Sequence, residues 1–245
     1  MIADVPRPVS RRSEHVFFFV MAAMTIAATF FGFARTYFLR SYFQTQPLPV
    51  LVKIHGAVFT AWIALFLVQT TLVAARRTDL HRMLGWAGAA LATLMGVLTL
   101  KVAVDAVHAA VVCCDADAAR KFLAIPVSDV LVFSVLVGTA IVLRRALAEH
   151  KRLMLLATLT ILDAATGRWP LGFIQSTKWG YYVAADAMIL AAVAYDALLR
   201  KRVARAFAWG VPLIVGAQIA RELIGATSVW KSFARLIVGF SYLFA

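Results

Sequence analysis

Hydrophobic positions along the chain fall in long unbroken runs, separated by short polar connections that are mostly basic. Seven runs of about 20 residues stand out, at 16–34, 49–74, 83–104, 122–143, 153–173, 180–199 and 206–225. A helix of about that length spans the roughly 30 Å of hydrocarbon in a bilayer. The pattern therefore predicts an all-α, polytopic membrane bundle of seven transmembrane helices, forming one integral domain over residues 1–245. The first run follows a polar start with no convincing cleavage site, so it reads as a retained helix rather than a signal peptide. Beyond Gly225–Ser228, Trp230, Phe233, Ile237, Phe240 and Phe244 recur every three or four residues. That spacing predicts an amphipathic helix at 229–243 lying in the membrane interface.

Composition supports the bilayer. Hydrophobic residues make up 62% of the chain and charged residues 15%, against about 45–50% and 25% in soluble domains. Mean hydropathy is +0.83. A soluble enzyme, a disordered chain and a secreted disulfide scaffold are excluded. Two adjacent cysteines, Cys113 and Cys114, cannot build a disulfide framework or a four-cysteine zinc site; they read as loop thiols, with a vicinal disulfide as the alternative.

The 25 Lys and Arg against 12 Asp and Glu give a net charge of +13. In a soluble protein this would suggest nucleic acid as a partner. Here 14 of the 25 basic residues occupy alternate connections: Arg7, Arg11 and Arg12; Arg76, Arg77 and Arg82; Arg144, Arg145, Lys151 and Arg152; Arg200, Lys201, Arg202 and Arg205. Under the positive-inside rule the N-terminus and these turns are cytoplasmic and the C-terminus is outside. The expected location is a bacterial inner (plasma) membrane, with the C-terminus periplasmic. The lipid bilayer, not nucleic acid, is the expected partner. Aromatic residues such as Tyr37, Tyr42, Trp169, Trp179 and Tyr182 gather at the outer edge, as an interfacial belt does.

Three odd-numbered helices begin alike, with RRSEH, RRTDLH and RRALAEH. His15, His81 and His150 therefore sit at similar depth, at the cytoplasmic mouths of parallel helices. His15 reads as an ordinary interfacial residue. His81 and His150 have matching surroundings, HRML and HKRLM.

The segment HGAVFTAWIALFLVQTTLVAARRTDLHRMLGWAG, with His55, Gln69, Arg77, His81, Arg82 and Gly85, resembles the first half of the domain-of-unknown-function 2306 family of bacterial membrane proteins. EHKRLMLLATLTILDAATGRWP, with His150, Lys151, Met154, Arg168 and Pro170, resembles the second half. The resemblance covers about residues 50–175 and implies no established activity. A looser likeness to transmembrane cytochromes b implies haem b clamped by His81 and His150, with His55 a further cofactor-binding candidate. Covalent haem attachment is excluded because no CxxCH occurs.

Ionisable groups inside membrane helices are costly and suggest function. Counting inward from the outer helix ends places His55, Asp129, Asp163, Asp186, Arg221, Glu222 and Lys101 in one layer. Its deeper members lie roughly 8–15 Å below the outer surface. Arg168 follows Asp163 by five residues, about 140° away around the helix after one full turn. Asp163 therefore needs a partner from another helix. The layer predicts an outward-facing polar cavity that includes Arg168, Arg221, Glu222 and Lys101; a set of interhelical salt bridges is the competing reading. His55, Asp129, Asp163 and Asp186 would also suit a divalent metal. The cytoplasmic halves are nearly free of charge, with Asp196 the main exception.

No lysine sits mid-helix in the last span, which argues against a retinal Schiff base. No GxxxxGKS, GxSxG or HExxH occurs. Two classes of function remain. One is a haem- or metal-binding redox protein, the outer layer meeting a quinone. The other is a non-enzymatic small-molecule carrier, sensor or accessory subunit of a membrane complex.

Overall fold

A computed structural model describes residues 10–113, 115–177 and 179–241. Arg7, Cys114, Phe244 and the side chain of Phe240 lie outside the described residues. Among the described residues every regular element is helical. The elements are α1 (Arg11–Phe33), α2 (Val50–Ala74), α3 (Thr78–Cys113), α4 (Ala116–Phe122), α5 (Ala124–Val142), α6 (Leu147–Thr160), α7 (Asp163–Thr166), α8 (Gly172–Gln175), α9 (Val183–Leu199), α10 (Arg205–Gly225) and α11 (Ser228–Ser241).

Six helical stretches among the described residues are long and apolar enough to cross a membrane, rather than the seven expected. The difference lies at 153–173. There α6 stops at Thr160, Ile161 and Leu162 form a turn, α7 lasts four residues, and α8 follows after a further turn. The apolar pattern continues through ILDAATG, so hydropathy alone does not reveal the break. Two other expectations change in detail. The third span extends from Thr78 to Cys113, 36 residues, or about 54 Å of helix. The fourth is divided at Leu123 into α4 and α5.

The apolar stripes face outward and small residues face inward. Trp86, Val97, Leu131, Leu190 and Leu198 are each at least 60% exposed, and lipid would cover them. The interior holds Ala22, Ala140, Ala157, Ala192 and Ala206 with no exposure. Helices in lipid gain little from mutual burial of apolar surface, so close approach through small side chains supplies the attraction. Gly32 is the clearest case: a Cβ there would drive into the carbonyl of Ala165, where α1 crosses α7.

α6 is the central column. Leu153, Leu155, Leu156, Ala157 and Leu159 are fully buried, because α5, α10, α9 and α1 surround the helix. A helix that is apolar all round belongs inside. The break after Thr160 is tolerable for the same reason, since irregular backbone in a membrane must be covered by protein or line a cavity.

One end of the bundle collects the basic turns. α2 stops there in a left-handed residue, Arg76 (φ 60°). The Arg77 amide donates to the Leu72 carbonyl and the Arg76 amide to that of Val73, which satisfies the last carbonyls of the helix.

Beside these turns, Arg152 is 1% exposed and Asp196 fully buried. The Arg152 Nε donates to one Asp196 carboxylate oxygen (2.7 Å) and Nη2 to the other (2.5 Å). Nη2 also reaches Glu14 of α1 (3.3 Å), and Nη1 the Ala148 carbonyl. Asp196 further accepts from Arg200 and from the Ala204 amide that opens α10. Glu149 caps the same helix by accepting from the Ala206 amide (2.6 Å). Arg152, expected as a topology-setting loop charge, is therefore a core residue joining α1, α6 and α9.

At the opposite end, α3 overshoots and packs with α4 and α11 around Ala103, Val107, Leu123, Ala234 and Val238. α11 covers Ser228–Ser241 of the expected 229–243 segment, whose end lies outside the described residues, and Trp230 does not face outward. It packs against that small core and its Nε1 donates to the Arg120 carbonyl (2.9 Å). The exposed apolar stripe of α11 is Val229, Phe233 and Leu236.

Removing one partner of a buried, hydrogen-bonded pair strands the other charge. Asp196→Ala should cost about 3–5 kcal/mol, read as a lowered unfolding midpoint of the purified protein. The apolar double variant Arg152→Met with Asp196→Leu should recover most of that loss.

Candidate functional site

Three helices meet at the break in the central column. Asp163 opens α7 there and is 7% exposed. Arg221, from the last turns of α10, is 5% exposed. Its Nη2 donates to Asp163 Oδ2 (2.9 Å), its Nη1 to Asp129 Oδ1 on α5, and its Nε to the Tyr182 hydroxyl (2.8 Å), just before α9. The guanidinium carbon also lies 4.7 Å from the centre of the Tyr182 ring. All three kinds of guanidinium nitrogen are thus engaged, and the planar fork fixes two carboxylates at once.

A second tier surrounds this centre. The Tyr182 and Tyr181 hydroxyls are 2.9 Å apart, and Tyr181 donates to Glu222 (3.1 Å). Lys121 of α4 approaches Glu222 at 3.9 Å. Asp186 of α9 accepts from Gln218 of α10 (3.0 Å). Beside the Asp129–Arg221–Asp163 centre lies a small cavity lined by Ser128, Asp129, Val132, Thr160, Asp163, Ile214, Ala217, Gln218 and Arg221. The space open to the centre of a water molecule is about 10 Å³, room for one water or one small ion. Asp163 Oδ1 is buried and has no hydrogen-bond partner.

The layer found by counting depth is therefore only partly one site. Asp129, Asp163 and Arg221 come together directly, with Asp186 and Glu222 one step away. His55 does not join them by any hydrogen bond: its ring stacks on Phe59 (4.3 Å), and its Nδ1 is buried without a partner. Arg168 folds back on the Ala164 carbonyl and lies over Phe33 (4.6 Å). Asp163 and Arg168 take different partners; α7 ends at Thr166, so the 140° offset of a continuous helix does not extend to Arg168. Lys101 pairs with Asp105 one turn along α3, on an exposed flank.

Among the described residues no three His, Cys, Asp or Glu side chains gather as metal ligands would. Asp129 and Asp163 converge on a guanidinium instead. Tyr181, Tyr182 and Gln218 were not anticipated. The two tyrosines are indistinguishable in sequence from the aromatic belt around them. Gln218 carries no charge to mark it.

At the basic end, the His81 and His150 rings lie 6.2 Å apart, centre to centre, with planes at 86°. His150 Nδ1 is 2.8 Å from the Ala140 carbonyl. His81 Nδ1 is buried without a partner.

No protein family, curated protein or solved structure matches the chain.

Arg221 holds two carboxylates that repel each other without it. Arg221→Gln should destabilise the protein by about 3–5 kcal/mol. Tyr181→Phe removes only a partly exposed hydroxyl contact and should cost about 1 kcal/mol. Thermal unfolding of the two purified variants checks that order.

Proposed function

We propose that the chain is a non-enzymatic membrane carrier for a small cation, with its site at the break in the α6–α7 column. The observation behind this reading is an interrupted central helix whose break adjoins a cavity lined by carboxylates. Asp129, Asp163, Asp186 and Glu222 outnumber Arg221 and the rim residue Lys121. The surplus is negative and favours a positive ligand. Interrupted helices with polar side chains at the gap suit alternating exposure of a bound ion. In this reading α6 and α7 together supply a seventh, broken crossing. The basic turns are cytoplasmic, in a bacterial inner membrane, and the carboxylate cavity is reached from outside. α11 lies at the outer interface with Val229, Phe233 and Leu236 toward lipid. We propose further that residues 50–175 belong with the domain-of-unknown-function 2306 family, on the motif residues His55, Gln69, Arg77, His81 and His150.

Proteoliposomes test it. Vesicles carrying the protein, under an imposed pH or sodium gradient, should lose one of the two gradients faster than protein-free vesicles. Asp163→Asn should slow that loss about tenfold or more, as expected for an intramembrane carboxylate on an ion path. Equal rates with and without protein, for both gradients, would remove the carrier reading and leave a sensor or an accessory subunit of a membrane complex.

The His81–His150 pair favours a second reading, a haem b or metal redox protein that exchanges electrons with a quinone. The His81 and His150 rings lie 6.2 Å apart, and paired imidazoles from neighbouring helices are the residue type that would hold haem iron or another metal. His150 Nδ1 donating to a backbone carbonyl would leave Nε2 to face the metal, the usual arrangement of a ligating histidine. The bound group would supply one-electron transfer. His81 and His150 would hold it, and Ala140 would orient the second ring. Purified protein should then show the sharp visible bands of reduced haem b or, for another metal, bound metal by elemental analysis. His81→Ala and His150→Ala should each abolish the signal and His15→Ala should not. Absence of both haem and metal from the purified protein would end this reading.

A further inference from the structure

Asp129, Asp163 and Arg221 do not balance. Two ionised carboxylates and one guanidinium carry a formal charge of −1. The imbalance sits where Asp163 is 7% exposed and Arg221 is 5% exposed. Hydrogen bonding is unbalanced in the same place. Asp163 Oδ2 accepts from Arg221 (2.9 Å), while Oδ1 is buried and accepts from nothing. A buried carboxylate oxygen without a donor is costly. Asp163 also lines the small cavity, together with Ser128 and Thr160.

The charged and titratable groups around Asp163 come from three helices and one turn, while α1, which also packs on α7, has none between Val16 and Phe33. α5 contributes Asp129, α10 contributes Arg221, α9 contributes Asp186, and the turn before α9 contributes Tyr182. Arg221 is the sole cation among these groups, and it is already shared. One further positive charge, no larger than a water molecule, would neutralise the centre and satisfy Oδ1 together.

We infer that the Asp129–Asp163 pair holds one exchangeable proton, seated on Oδ1 of Asp163 and delivered through the cavity. The inference deepens the carrier reading and rests on it for the cavity's role. On loading, hydronium in the cavity gives up its proton: one of its O–H bonds breaks, neutral water is left, the O–H bond forms at Oδ1, and the centre goes from −1 to neutral. On release the O–H electron pair returns to the carboxylate and the proton to water. No oxidant or reductant is involved. Arg221 stays cationic throughout and keeps both carboxylates in place, so it is a positioning residue.

Infrared difference spectroscopy of the purified full-length chain in lipid nanodiscs tests this through the carbonyl stretch of a neutral carboxylic acid. Between about pH 5 and about pH 9 a wild-type band should titrate and shift in D₂O. Asp163→Glu should move the band, since the stretch reports its own side chain. Asp129→Glu should leave its position unchanged. Asp163→Asn should abolish it, and Asp186→Asn should not. Absence of any neutral-carboxyl band in wild-type protein would overturn the proposal without needing a variant. A band that Asp129→Glu moves instead would overturn the seat at Asp163. A band that sodium chloride, but not choline chloride, removes at fixed pH would overturn the proton and place a sodium ion there. Failure of this inference and failure of the carrier reading are separable. Sodium flux with no neutral-carboxyl band defeats only the proton. A titrating band with no flux defeats only the carrier.

Discussion

Hydrocarbon does not solvate charge, and the central helix carries charge at both ends. Arg152 near its start and Asp163 just past its break are 11 residues apart in sequence, about 16 Å along a helix. Neither can stay ionised without a partner from another element. Arg152 takes Asp196 of α9 and Glu14 of α1. Asp163 takes Arg221 of α10, which brings Asp129 of α5 with it. Four surrounding helices are thus fixed against one column by two charge clusters. Apolar surface is interchangeable with lipid and could not specify that arrangement.

Close packing then makes the break possible. Gly32 lets α1 approach the Ala165 backbone, and Gly210 lets α10 approach Leu156. Both contacts lie on the α6–α7 column, one on each side of the interruption. Larger side chains would hold the helices apart and open the turn at Ile161–Leu162 to lipid, where unpaired backbone groups are costly. The small residues and the polar centre are therefore parts of one device. The former seal the gap that the latter occupies.

Much of this was readable from sequence. The apolar runs located the helices because length and hydropathy are sufficient for a span. Depth counting found Asp129, Asp163, Arg221, Asp186 and Glu222 because charges that must meet in a bilayer share a level. Depth carries no azimuth, however. His55 and Lys101 lie at matching levels yet face elsewhere, His55 onto Phe59 and Lys101 along its own helix to Asp105. Asp163 and Arg168 do take separate partners, but the 140° offset assumed a helix that ends at Thr166. The break stayed hidden because Ile161, Leu162, Ala164 and Ala165 are as apolar as any helix interior. Arg152 was misread because a basic residue next to Lys151 at a helix start looks like a topology signal. Its burial depends on Asp196, 44 residues further on.

The two charge clusters differ in completeness, and this difference assigns them different tasks. At Asp196 both carboxylate oxygens are bonded, one to Arg152 and the other to Arg152, Arg200 and the Ala204 amide. Nothing there is left to bind, and the cluster closes one end of the bundle. At Asp163 one oxygen is bonded and the other is not, and the residue lines a cavity. A site that exchanges an occupant has to be incomplete in its absence, because full internal satisfaction leaves no free energy for binding. It must also keep its shape when empty, and here Arg221 does this by holding Asp129, Asp163 and Tyr182 from a single rigid fork. The end with the finished hydrogen bonds anchors the column. On the proposed carrier reading, the end with the unfinished one is where binding would couple to movement of the broken helix.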